Sequence, residues 1–257
     1  MKEFFDIVYS VINECSMILE VIDSRMPDTT RNKHIEDYIT KRKKVLIIVI
    51  NKCDLISKQN LEKIKQIISK QHPCIFISAQ KHLGTLMLKR KIMQHSKGLK
   101  FPIRIGVIGY PNTGKSSLIN ALKGSHSAKT SPIAGFTKSK QWLKVNDKIM
   151  LIDTPGVIPY KKTSETDLVL ASARSAEKIK DPEKVAVDIL KIVADESPEL
   201  LKQRYNLNNK EISFDSLEKI AKEKKKLKKH AEPNTELVAK MIIQDWQKGK
   251  LRLKISK

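Results

Sequence analysis

The chain has 257 residues, with 50 Lys+Arg against 28 Asp+Glu and a formal net charge of +22. That length accommodates one α/β domain and a smaller second one, and that charge points to a polyanion, usually nucleic acid. No apolar run approaches the roughly 20 residues of a membrane span, so no membrane partner is expected. The N-terminus shows no secretory signal pattern. Cys15, Cys53 and Cys74 sit in or beside apolar runs without metal-ligand spacing. Reduced thiols and a cytoplasmic location are therefore expected.

Residues 1–13 repeat apolar side chains at helical spacing (Phe5, Val8, Ile12), and 17–22 read as a buried strand ending at Asp23-Ser24-Arg25-Met26-Pro27. Polar and basic residues at helical density follow over 29–42. Residues 45–50 are the most apolar run, the composition of a central parallel strand, and end in Asn51-Lys52-Cys53-Asp54. Residues 57–70 form an amphipathic helix, with Ser57 as its N-cap and Leu61, Ile64, Ile67 and Ile68 on one face. A short strand at 74–77 closes on Ser78-Ala79-Gln80, and 83–97 is helical. The next strand, 103–108, runs through Gly109-Tyr110-Pro111-Asn112-Thr113-Gly114-Lys115-Ser116-Ser117 into a helix at 118–122. Residues 123–139 read as a loop, followed by two short strands near 140–145 and 148–152. The second strand runs into Asp153-Thr154-Pro155-Gly156.

This alternation predicts an α/β, doubly wound parallel sheet over 1–164, with its site at the carboxyl ends of the strands. After it, 165–257 show helical periodicity, with breaks near Pro198, 206–209 and Pro233 and no strand. A small all-α domain is expected there. Its run 219–229 holds seven lysines, expected to line a solvated helix face.

Strand, G-x-x-x-x-G-K-S, helix is a phosphate-binding loop in its required context. Backbone N–H groups converge on phosphate oxygens only where side chains are absent, hence the glycines. Asn112, Thr113, Gly114, Lys115, Ser116 and Ser117 form this cradle. Lys115 serves the β- and γ-phosphates, and the Ser116 hydroxyl is placed for Mg²⁺. A carboxylate at Asp54 can accept the ring N–H and exocyclic amine of guanine, neither of which adenine offers in that geometry. Asn51 would tie this loop to the phosphate loop or the base, and the Lys52 stem would cover the base's flat face. Ser78-Ala79-Gln80 would aim a backbone N–H at the guanine oxygen. Asp153 would hold Mg²⁺ through water, and Gly156 would sense the γ-phosphate. Thr137, ahead of Thr130, is the candidate switch threonine on Mg²⁺. The base-reading motifs precede the phosphate loop, the reverse of the usual order. A sheet cut in one loop and rejoined at its termini keeps every strand, so these motifs can still meet on one nucleotide.

The arrangement resembles the circularly permuted GTPases of the YlqF type. Val21-Ile22-Asp23-Ser24-Arg25-Met26-Pro27 with Thr30-Arg31-Asn32 is similar to that family's D-A-R-x-P…S-R-N segment. Gly109-Tyr110-Pro111-Asn112 resembles its G-x-P-N start, Gly135-Phe136-Thr137-Lys138 its switch, and Asp245-Trp246-Gln247-Lys248-Gly249-Lys250-Leu251 its tail. The resemblance implies a GTPase domain followed by a small helical domain that binds the large ribosomal subunit, or its precursor, through rRNA. It implies hydrolysis of GTP to GDP with Mg²⁺, and a monomer is the expected state. Lys115, Asn112, Thr137 and Gly156 are then the candidate catalytic residues, and Asn112 resembles an asparagine that helps hold K⁺ in related GTPases. Val157 and Ile158 stand where other GTPases carry a water-orienting glutamine, and no His precedes His34, so another group must activate water. Two alternatives stay open: a GTPase acting on tRNA or other RNA, and a GTP-gated RNA-binding module with incidental turnover.

Overall fold

The computed structural model describes residues 2–124, 142–153, 164–208 and 212–253. The chain divides into two compact units. The first comprises Met1–Asp54 and Lys58–Lys161, and the second Leu55–Ser57 and Lys162–Lys257.

In the first unit, α1 (Lys2–Glu14) leads into β1 (Met17–Asp23), α2 (Pro27–Thr30) and α3 (Lys33–Lys41). Then come β2 (Val45–Asn51), α4 (Lys58–Ile68), β3 (Cys74–Phe76) and α5 (Thr85–Gln94), followed by β4 (Ile103–Ile108), α6 (Lys115–Lys123), β5 (Trp142–Asn146) and β6 (Ile149–Asp153). The six strands form one sheet in the order β3-β2-β1-β4-β6-β5. All neighbours pair in parallel except β5, which runs antiparallel to β6.

The alternation along β1 explains the layering. Met17, Leu19 and Val21 pack with Leu88 and Ile92 of α5 and Leu118, Ile119 and Leu122 of α6. Ile18 and Ile22 pack on the other face with Val8, Val11 and Ile12 of α1 and Ile35 and Ile39 of α3. Successive side chains point to opposite faces, so a strand with apolar side chains on both needs helices on both sides. The sheet is therefore doubly wound, with a mixed edge at β5.

The helix expected over 29–42 is two helices. They break at Asn32, whose side chain accepts the Ile35 N–H at 3.2 Å and caps α3. The helix expected at 83–97 begins only at Thr85, after Gly84 at φ +76°. Ser57 precedes α4 as expected, but its own N–H donates to the Leu253 carbonyl at 3.1 Å.

The second unit contains α7 (Glu165–Leu170), α8 (Pro182–Glu196), α9 (Pro198–Tyr205), α10 (Phe214–Glu223) and α11 (Thr235–Gln247). Val185, Ile189, Leu190 and Val193 of α8 and Val238, Ile242, Ile243 and Trp246 of α11 are buried. The Trp246 indole donates to the Leu170 carbonyl at 3.0 Å. The breaks expected near Pro198 and 206–209 are real: Pro198 starts α9, and Asn206 ends it at φ +51°. The residues Leu55–Ser57 join this unit because Leu253 bonds both ways with them, donating to Leu55 and accepting from Ser57.

The lysine run is not one helix face, because α10 ends at Glu223. Lys225 turns left-handed at φ +51°, and the Lys226 and Lys225 N–H groups close back on the Ala221 and Lys222 carbonyls. This is the pattern that terminates helices, with a lysine where glycine is common. Lys224, Lys225, Lys226, Lys228 and Lys229 therefore lie on an exposed turn, closed where Asn234 N–H donates to the Lys226 carbonyl at 2.9 Å.

Candidate nucleotide-binding site

β2, β3, β4 and β6 are parallel to one another or to their common neighbours, so their carboxyl ends open on one edge of the sheet. The loops carrying the sequence motifs leave from that edge. The phosphate loop connects β4 to α6. Gly109 sits at φ +143°, and a Cβ there would lie 2.3 Å from the Val21 carbonyl oxygen. Gly114 sits at φ +100°, and its Cβ would fall 2.1 Å from Asn51 Nδ2. Both glycines are thus required by close approach as well as by backbone angle.

Asn51 is the hub of the site. Its Nδ2 donates to the Thr113 carbonyl at 2.7 Å, and its Oδ1 accepts the Ala79 N–H at 3.0 Å. One buried side chain at the end of β2 thus joins the loops that follow β3 and β4. Of the Ser78-Ala79-Gln80 backbone N–H groups, one of which is expected to face the guanine oxygen, that of Ala79 is engaged with Asn51. The Thr113 hydroxyl donates to the Tyr110 carbonyl at 2.9 Å and tightens the phosphate loop.

Lys115 is 8% exposed and folds back over the loop, donating to the Tyr110 carbonyl at 2.8 Å and the Gly109 carbonyl at 3.1 Å. Ser116 and Ser117 occupy the half-buried first turn of α6, which has no side-chain cap and no acidic residue. Asn112 is exposed and left-handed at φ +58°. An uncapped helix start, an ammonium and two hydroxyls are the donor set that a phosphate with bound Mg²⁺ requires. Among the described residues, no cluster of three or more His, Cys, Asp or Glu could hold a metal ion by itself.

Asp54 lies in a short 3-10 turn, Cys53–Leu55, and its Oδ2 is 3.0 Å from Lys81 Nζ. Burial pushes its carboxyl up, but the neighbouring Ser78 hydroxyl and Lys81 ammonium outweigh that and hold it below its usual value. Among the described residues the Ser78 hydroxyl has no partner in hydrogen-bond geometry, and Lys81 is the counter-charge beside Asp54. Asp54 is accordingly ionised at neutral pH. Lys52 is left-handed at φ +61°, with Nζ 2.7 Å from Asp23 Oδ2. Lys81 and Asp23 were not assigned to the site from sequence. For Lys81 the only signal is its place directly after Gln80.

Asp153 ends β6 beside Val107 of β4, which puts its backbone at the same edge of the sheet. Thr137 and Gly156, like Thr130, Val157 and Ile158, lie outside the described residues.

Comparisons with known proteins agree with this geometry. Residues 104–240 match the family model described as 50S ribosome-binding GTPase, and residues 7–161 match RsgA GTPase. An uncharacterized GTP-binding protein of Methanocaldococcus jannaschii is 39% identical over 246 residues, 95% of this chain and 65% of that protein. Nucleolar GTP-binding protein 2 of Pneumocystis carinii is 36% identical over 97% of this chain and 53% of its own length. Nuclear/nucleolar GTPase 2 of Arabidopsis thaliana is 33% identical, covering 97% of this chain and 44% of its own length. The chain thus spans between less than half and about two-thirds of these relatives. The structure of GNP-bound YlqF from T. maritima has the same fold, with TM-score 0.69 at 23% identity, over 97% of this chain and 95% of that one. No helix among the described residues is long and apolar enough to cross a membrane. With motif order, sheet topology and two family models in agreement, the chain belongs to the family described as 50S ribosome-binding GTPase, with its motifs in circularly permuted order and the fold of YlqF.

Proposed function

We propose that this chain binds GTP, hydrolyses it slowly to GDP and phosphate, and acts in assembly of the large ribosomal subunit. The observation that carries the reading is the Asn51 side chain, which bonds to both the phosphate loop and the Ser78-Ala79-Gln80 loop. Two segments that precede the phosphate loop in sequence are thereby fixed against it, as a single nucleotide requires.

Asp54 reads guanine with its ionised carboxylate, and the Lys52 stem lies across the base. The N–H groups of 112–117 wrap the phosphates, with Lys115 leaving its carbonyl partners for the β- and γ-oxygens. Ser116, with Thr137 and Asp153, would hold Mg²⁺, which when bound would neutralise charge developing on the transferred phosphoryl group. Gly156 senses the γ-phosphate. No glutamine follows Gly156, so unassisted turnover is slow, on the order of 10⁻⁴–10⁻² s⁻¹.

The exposed turn bearing Lys224, Lys225, Lys226, Lys228 and Lys229, together with Lys248, Lys250 and Arg252, suits the phosphate backbone of rRNA. Co-sedimentation with purified large subunits, in GDP and in a non-hydrolysable GTP analogue, tests this. We expect tighter binding with the analogue by about 5- to 150-fold, and a steep loss of affinity with salt. Equal binding in the two nucleotides would make the chain a constitutive RNA binder. Stronger stimulation of turnover by tRNA than by subunits would favour the other RNA-directed reading.

A further inference from the structure

The segment Asp23-Ser24-Arg25 leaves the carboxyl end of β1, the strand between β2 and β4, and so lies between the base-reading and phosphate loops. No nucleotide role described above uses it. Yet the Asp23 and Arg25 side chains are both 0% exposed. Arg25 closes on the carboxylate through its own N–H at 3.0 Å and Nε at 3.1 Å to Oδ1, and a terminal nitrogen at 2.8 Å to Oδ2. The Asp23 backbone N–H donates to Thr30 Oγ1 at 3.0 Å. An aspartate serving only as a buried counter-ion would be complete at that point.

Asp23 has a further partner. Its Oδ2 also accepts Lys52 Nζ at 2.7 Å. Ser24 completes the hold, because its N–H donates to the Asn51 carbonyl at 2.9 Å and its hydroxyl to the Lys52 carbonyl at 2.8 Å. Lys52 is thus fixed at both ends, at its carbonyl by Ser24 and at its ammonium by Asp23. It needs fixing, because a non-glycine residue keeps a left-handed backbone only where its surroundings determine it. A four-carbon side chain would otherwise sample many rotamers. Burial alone would push the Asp23 carboxyl up, but Arg25 and Lys52 hold it well below the usual range, so it stays charged at every physiological pH.

We propose that Asp23 is a positioning residue for base recognition, holding the Lys52 stem in the place where the flat face of guanine packs. Nucleotide affinity then depends on a carboxylate that never touches the nucleotide. This rests on the guanine reading of the Asn51-to-Asp54 loop.

The test is a double-mutant cycle on the full chain, titrated with fluorescent GDP, with a thermal melt of each variant. Lys52→Met and Asp23→Asn are each expected to weaken GDP binding by about tenfold, and the double variant to be no weaker than Lys52→Met alone. A purely structural role would instead give additive losses that follow the melting temperature, and that result overturns the proposal. Asp23→Asn leaves the buried Arg25 and the partly buried Lys52 with reduced compensation, so it can fail to fold. Ser24→Ala then carries the test: a loss of about threefold that vanishes in the Lys52→Met background supports the proposal, and unchanged affinity overturns it. If the unmodified chain shows no preference for guanine over adenine nucleotides, the reading of the loop fails first. If it prefers GDP and the Asp23 and Ser24 variants bind as tightly as it does, only the inference fails.

Discussion

Asp54→Asn is expected to lower GTP affinity by about 100-fold or more and to transfer preference to xanthosine nucleotides. The reason is local. Asp54 is held ionised by Lys81, whose Nζ lies 3.0 Å away, so it offers acceptors alone. Guanine presents two donors to such a group. Asparagine replaces one acceptor by an amide donor, which faces a donor on guanine but an acceptor on xanthine. A buried polar group left facing its own kind loses the whole hydrogen bond and its desolvation cost. Competition binding with GTP and XTP on the variant measures the exchange. A variant that keeps GTP affinity within threefold, with no gain for XTP, would remove Asp54 from base recognition.

Gly114→Ala should abolish nucleotide binding while the rest of the sheet stays folded. A Cβ at this position would fall 2.1 Å from Asn51 Nδ2, so the hub side chain must leave and both of its hydrogen bonds go with it. Backbone strain at φ +100° adds on the order of 1–3 kcal/mol. Gly124 supplies the control. It lies at the other end of α6 at φ +84°, where a Cβ would meet nothing within 4 Å among the described residues. Gly124→Ala therefore carries the strain without the collision. Thermal melts should fall for both variants, while affinity for labelled GDP should be lost only for Gly114→Ala. Retained binding in Gly114→Ala would show that the Asn51 bridge is dispensable.

The parts of this protein that sequence made legible are those governed by local rules. The strands β1 and β2, apolar but for Glu20 and the terminal Asp23 and Asn51, announce a sheet covered on both faces, and a strand followed by G-x-x-x-x-G-K-S and a helix announces a phosphate loop. What escaped depends on partners distant in sequence. Nothing in Leu55-Ile56-Ser57 signals membership of the helical unit, because that follows from pairing with Leu253. The lysine run reads as a helix until the turn at Lys225, where tertiary closure overrides propensity. The buried charges are a third instance. Arg31 reaches Glu36 through Nε at 2.8 Å, and Glu20 accepts the Asn32 N–H at 2.8 Å from the middle of an apolar strand. Burial, and then Glu36 nearby, push the Glu20 carboxyl well above its usual value. No periodicity marks such a cluster in advance.

Three loops, out of their usual order in sequence, are expected to form one guanine-nucleotide site. Displacement of labelled GDP from the unmodified chain by GTP and by ATP, in Mg²⁺ buffer, is the measurement that decides this. GTP should displace the probe, and ATP should be weaker by a factor of roughly 10³ or more, as for a site built to bond its substrate's own donors. Displacement by ATP at the same concentrations as GTP would contradict it.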